Sequence, residues 1–432
     1  MLRAALISLL LTVSMQSAVA ATARIDNIDA GEAIDVRLPI TPERRVDMRL
    51  ERFEVYSPDA EVWLHGKKGS VTRIEPSALQ FFMGMPKAGG EERLLLIVDP
   101  ARGNALSGFS FSRAGSFAVA GKIDALEAIT LSEIEAPEGI ETAGSCSTQS
   151  RAELISAAPI NFQRPRAPAA PLVATRLARL AVETDNEFMQ QKFADNSAAA
   201  NNWIAQLVAT MNAQTFEPEL DLSLTLTLVN LRPSSAPDPY TQNSGSSASQ
   251  AELVEFGSIW QNNFAATPRV MAMLLSGKSP SPNSASGIAW LDSYCRTQSS
   301  GGSYSFNKIF KFTPAANTLP FDARLVGHEI GHNLGSNHTH CLDTSPAAGL
   351  QPVDQCFNTE PSCYTGPTVC PVAGSRTIMS YCNIGACSPN QNDFVFGPFV
   401  KNLLLGRVAA NFPSCITPAS AVTEVILQNG FE

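Results

Sequence analysis

His328, Glu329, His332 and His338 have the types and spacing for metal chemistry. They fall in His328-Glu329-Ile330-Gly331-His332-Asn333-Leu334-Gly335-Ser336-Asn337-His338, and the whole chain has only 5 histidines. At about 100° per residue, His328 and His332 project from one face of a helix, while Val326, Ile330 and Leu334 project from roughly the opposite one. One face can hold a metal and the other a core. Gly335 can adopt the left-handed conformation that ends a helix, so the chain turns and His338 returns toward the same ion. Three neutral imidazoles leave one tetrahedral position open, the mark of a catalytic rather than a structural zinc, and water held there is acidified to near neutral pKa. Glu329 is the natural general base for that water. His340 reads as a solvated loop residue past the last ligand, and His65 stands alone, without a ligand role.

A second motif, Ser375-Arg376-Thr377-Ile378-Met379-Ser380-Tyr381-Cys382, follows downstream. With these two elements the chain resembles the metzincin clan of secreted zinc metallopeptidases. The resemblance implies an α+β catalytic domain with a twisted mixed sheet, a zinc helix and a Met-turn, in which Met379 forms a hydrophobic floor under the metal. Met273-Leu274-Leu275-Ser276-Gly277 followed by Gly287-Ile288-Ala289-Trp290 is similar to the adamalysin (reprolysin) branch. There the corresponding strand is the sheet edge that receives an extended substrate, so Gly287, Ile288 and Ala289 would line the cleft, because unpaired backbone groups accept an added strand. An ordinary buried strand is the alternative. The same resemblance pairs Cys295 with Cys415. Tyr381 stands where astacins and serralysins keep a tyrosine that binds zinc and stabilises the oxyanion; simple packing is the competing role. Thr339, after the third histidine, matches none of the branches. The expected cofactor is one catalytic Zn2+, and no sequence feature supports Ca2+.

The elements that must position these residues occupy a chain of 432 residues, 44% hydrophobic, with a formal charge of −9. That length suffices for two or three domains, and the acidic balance argues against a nucleic-acid partner. Residues 1–20, with Arg3, an apolar run and Ala18-Val19-Ala20, read as a secretory signal peptide too short to anchor in a membrane. A secreted location follows, or a periplasmic one in a Gram-negative host. Residues 21–165 read as a mainly β, propeptide-like domain and linker, ending in the Pro/Ala/Arg-rich stretch 161–171; a permanent substrate-binding domain is the alternative. Residues 170–416 form the catalytic domain, with a strand through Val182, a helix over 186–213, a half-buried strand over 222–228 and a helix around 251–264. Residues 417–432 form a short tail.

There are 9 cysteines. Eight lie from Cys295 onward, an even set suited to four bridges outside the cytosol. Cys146 is the odd one: as a thiolate it could fill zinc's open position and keep a zymogen silent, which resembles the cysteine switch of matrixins and adamalysins, although the flanking residues match neither. A free thiol is the alternative. The expected protein is a monomeric zinc endopeptidase acting on protein or peptide substrates. Its rivals are an inert secreted zinc-fold binding protein and a non-peptidase zinc hydrolase.

Overall fold

The computed structural model describes residues 29–134, 147–149 and 174–419, except for 30, 91, 113–114, 282–283, 312–317, 345–350, 371–376, 385–386 and 388–393. The expected signal peptide, Cys146, the linker and most of the tail lie outside the described residues. The chain divides into two compact units, one formed by Met1–Glu54 with Ala78–Glu135 and the other by Val55–Ser77 with Ala136–Glu432.

Strands are numbered along the chain: β1 Ala33–Thr41, β2 Arg44–Phe53, β3 Tyr56–His65, β4 Val71–Ile74, β5 Gln80–Pro86, β6 Arg93–Asp99, β7 Ala105–Ser112, β8 Gly115–Lys122 and β9 Thr130–Glu133. Short β10 (Ser147–Gln149) follows, then β11 Arg176–Thr184, β12 Leu222–Leu231, β13 Met271–Ser276, β14 Ser286–Trp290, β15 Tyr304–Lys308 and β16 Thr417–Pro418. The first unit is an antiparallel sheet in the order β1-β2-β5-β6-β7-β8-β9. Its residues alternate as a pleated strand requires: Leu94, Leu96 and Val98 of β6 share one core with Leu38, Leu50 and Phe82.

The second unit is mixed α+β, with the sheet order β10-β14-β15-β13-β11-β12-β3-β4 and β16 beside β11. Strands β3, β12, β11, β13 and β15 run parallel, whereas β14 is antiparallel to β15. The sequence placed β3 and β4 inside the N-terminal β module. The structure instead seats this hairpin in the second unit's sheet, because the outer edge of β12 pairs with β3 at Leu226 and, past a register shift, from Leu228 to Leu231. Strand β12, expected to be half-buried, is buried along its whole length, which its apolar-polar alternation does not reveal.

Helices α1 (Asn186–Phe193) and α2 (Ser197–Met211) replace the single helix expected over 186–213. Ala194 and Asp195 take φ of 50° and 63°, and Asn196 starts a fresh helix by accepting from the Ala199 N–H at 3.0 Å. After α3 (Glu217–Leu220) and α4 (Gln250–Phe264) comes α5, Leu319–Asn333, with Pro320 in its first turn, where a missing N–H costs nothing. Beyond it, Gly335 takes φ +112° and sends the chain back on itself. Helix α6, Gly397–Ala410, closes the unit.

Four disulfides join Cys295–Cys415, Cys341–Cys363, Cys356–Cys382 and Cys370–Cys387. The first is the pair that the reprolysin resemblance implied. No helix among the described residues is long and apolar enough to cross a membrane.

Candidate active site

Helix α5 is fixed at both ends. Near its start, buried Asp322 pairs with Lys192 of α1 at 3.1 Å. At its end, the Asn333 amide lies 2.9 Å from the Trp290 carbonyl, 3.1 Å from Ser293 Oγ and 3.1 Å from the Tyr304 carbonyl. The Asp292 N–H donates to the His332 carbonyl at 3.0 Å. These bonds hold the histidine face of α5 against the end of β14.

His328, His332 and His338 come together and are buried. His332 Nε2 lies 3.0 Å from His328 Nε2 and 3.2 Å from His338 Nε2. Each Nδ1 is engaged elsewhere: His328 with the Ile378 carbonyl at 2.7 Å, His332 with the Ser336 carbonyl at 2.7 Å, and His338 with Glu360 Oε2 at 2.8 Å. Backbone carbonyls only accept, so Nδ1 of His328 and His332 carry the protons and their Nε2 atoms present lone pairs. The carboxylate imposes the same tautomer on His338. Burial pulls all three below the usual imidazole range, His328 to about 3. Three neutral lone pairs facing each other at this distance repel unless a cation lies among them. A tetrahedral ion with bonds of about 2.0–2.1 Å separates its nitrogens by about 3.3 Å, so the set fits zinc with a few tenths of an ångström of opening.

The other candidates surround this cluster. Glu329 is wholly buried, and its side chain lies against the bare Cα of Gly287: a Cβ there would stand 2.2 Å from Glu329 Oε1 and 2.5 Å from Cδ. Met379 is wholly buried beneath α5, where a Cβ on Gly331 would meet its sulfur at 2.5 Å. The turn holding Met379 also supplies the Ile378 carbonyl to His328 and the Met379 carbonyl to the Thr339 N–H at 3.1 Å. The Tyr381 ring lies 4.2 Å from that of His338 and 5.0 Å from Phe357. Ile288 and Ala289 are wholly buried. Strand β14 is not bare: β10 pairs parallel to it, Ser147 with Ile288, Thr148 with Ala289 and Gln149 with Trp290.

Two residues fall outside the sequence expectations. His340 is not solvated but wholly buried, its Nε2 2.7 Å from Glu360 Oε2. Glu360 itself carried no signal except its place inside a cysteine-rich segment. Burial alone would raise its pKa, but bonds from His338 and His340 outweigh that and hold it at about 2. Asn333, by contrast, lies within the histidine run, though nothing local shows its tethering role.

Three buried imidazole acceptors, two on α5 and one beyond it, with a carboxylate on the same helix, form an arrangement suited to holding a metal ion. Residues 174–395 match the model of metallopeptidase family M12, Reprolysin_5, and the chain belongs to that family. No curated protein matches it. Among solved structures, the archaemetzincin of Methanopyrus kandleri is 12% identical with a TM-score of 0.28, over 54% of this chain and 96% of that one. The malonate-bound archaemetzincin of Archaeoglobus fulgidus is 16% identical with a TM-score of 0.21, over 39% and 88%.

Proposed function

We propose that the chain is a secreted zinc endopeptidase made as a zymogen, with His328, His332 and His338 holding one Zn2+ and Glu329 moving the proton. The observation that carries this is the convergence of three Nε2 acceptors, each fixed by an Nδ1 contact, beside a buried carboxylate. When bound, zinc supplies Lewis-acid polarisation of a peptide carbonyl and acidifies the attacking water. Glu329 takes that water's proton and passes it to the departing amine nitrogen. Met379 sets the depth of α5 through Gly331, and Tyr381 donates to the developing oxyanion. The substrate lies extended along Gly287, Ile288 and Ala289.

Latency has support in the same place, since the chain's own β10 occupies that edge. A substrate strand needs it displaced. Cys146, immediately before β10, is assigned as the thiolate that fills the open metal position in the zymogen. Export through residues 1–20 accords with four disulfides, which persist outside the reducing cytosol.

The test compares cleavage of an unfolded generic protein by the processed wild type and by Glu329→Ala, with zinc measured in both. Cleavage by wild type alone, with about one zinc in each, is the expected result. Zinc in both and cleavage by neither, even with β10 removed, would favour an inert binding protein.

A further inference from the structure

We propose that Glu360 is the positioning residue of the third histidine, an inference that rests on the zinc reading above. His328 and His332 sit on α5 and lean on backbone carbonyls. His338 lies beyond the helix, on the return after Gly335, and leans on a side chain delivered from 22 residues away. Glu360 Oε2 bonds both His338 Nδ1 at 2.8 Å and His340 Nε2 at 2.7 Å. The two rings lie nearly parallel, 8° apart, with centroids separated by 5.4 Å. Disulfide Cys341–Cys363 closes the loop that carries Glu360, and the Tyr364 N–H donates to the His340 carbonyl at 3.1 Å. A carboxylate behind a ligating imidazole fixes the ring and raises its basicity. Here it does so for the one ligand that the helix does not hold.

The experiment measures zinc release to a chelator and the visible spectrum of the Co2+-substituted protein for wild type, Glu360→Ala and Glu360→Gln, with far-UV circular dichroism as the folding check. Glu360→Ala should lose about 10–100-fold in zinc affinity and change the cobalt spectrum. Glu360→Gln retains a carbonyl acceptor and should recover part of both. Folded Glu360→Ala with wild-type zinc release and spectrum overturns the proposal, as does Glu360→Gln no better than Glu360→Ala. Wild type that holds no zinc, or His332→Ala that holds it equally well, instead overturns the underlying zinc reading.

A different observation carries a second inference: the hairpin β3–β4 stays with the catalytic unit after any cut in the linker. Strand β3 pairs parallel with β12 at Leu226 and, past a register shift, from Leu228 to Leu231, and the Leu226 N–H donates to the Val55 carbonyl at 2.7 Å. Both ends are bonded to α2, Tyr56 to Asn201 at 2.8 Å and Ser77 to Asn202 at 2.6 Å. Buried His65 bonds Asn230 at 3.1 Å and Arg232 at 3.2 Å. Shedding the hairpin would bare the outer edge of β12 over its second half, up to Leu231, the kind of edge that proteins avoid exposing. The processed enzyme is therefore a two-chain particle rather than a catalytic domain freed of its N-terminal region.

A specific protease site placed between Ala167 and Ala170 of the full chain tests this. After complete cutting, both fragments should co-elute on gel filtration and separate only in denaturant. A catalytic fragment that elutes alone, folded and active, overturns it.

Discussion

Gly287→Ala adds one methyl group and should silence the enzyme without emptying the metal site. The backbone at Gly287 is ordinary strand, so alanine brings no conformational strain there. The new Cβ would instead stand 2.2 Å from Glu329 Oε1, 2.5 Å from Cδ and 2.6 Å from Cγ. The first of these is about 1 Å short of ordinary van der Waals separation. Glu329 is wholly buried, so its carboxylate cannot swing into solvent, and α5 is tied at both ends. The carboxylate must therefore shift by about 1 Å, a displacement worth on the order of 100-fold in rate, with overpacking costing about 1–3 kcal/mol of stability. The assay is kcat/KM on a quenched peptide alongside zinc content and thermal melting. Full zinc with a large fall in kcat is expected. A folded variant within twofold of wild-type activity would refute the placement of Glu329 against β14.

Asn333→Ala removes the amide that bonds Trp290, Ser293 and Tyr304 and should cost about 1–3 kcal/mol in denaturant melts; an unchanged midpoint would show that α5 does not depend on this tether. Zinc removal by chelation should lower the melting temperature, by about 4 kcal/mol of stability where free zinc stood 1,000-fold above its Kd, and readdition should restore it; a melt indifferent to zinc contradicts the triad. Burial, and after it the Glu187 carboxylate, push Asp185 up to about 7. Its folded pKa is the higher, so its contribution is fully present below about pH 4 and lost as pH rises through 7. Asp185→Asn keeps an acceptor for the Phe188 and Gly277 N–H groups and removes the titration, so its melting temperature should gain on wild type between pH 4 and 8; a constant difference would refute the shift.

The histidine helix was legible because its chemistry and its core face share one short-range period. The same run of residues named Gly335 as the turn and placed His338 near its partners, and strands such as β6 and β11 followed from apolar patterning. The helix over 186–213 was overextended: Asp195 and Asn196 are residue types that favour a turn and a helix cap, but the apolar spacing on either side of them runs on as one helical pattern. His340 looked solvated because a histidine beside a loop gives no sign of a carboxylate approaching from residue 360.

The sequence by itself determined the candidate set: the i, i+4 histidines, the glutamate between them and the third histidine after the glycine turn all lie within one local stretch whose geometry the helix and its terminating turn dictate. The tertiary structure decided the partners. Glu360 behind His338, Gly287 under Glu329, β10 on the edge of β14 and β3 on the edge of β12 each join segments 22 to about 170 residues apart. Such pairings depend on which unpaired edges and buried acceptors meet in space, a choice that hydrogen-bond satisfaction makes only once the chain has closed on itself.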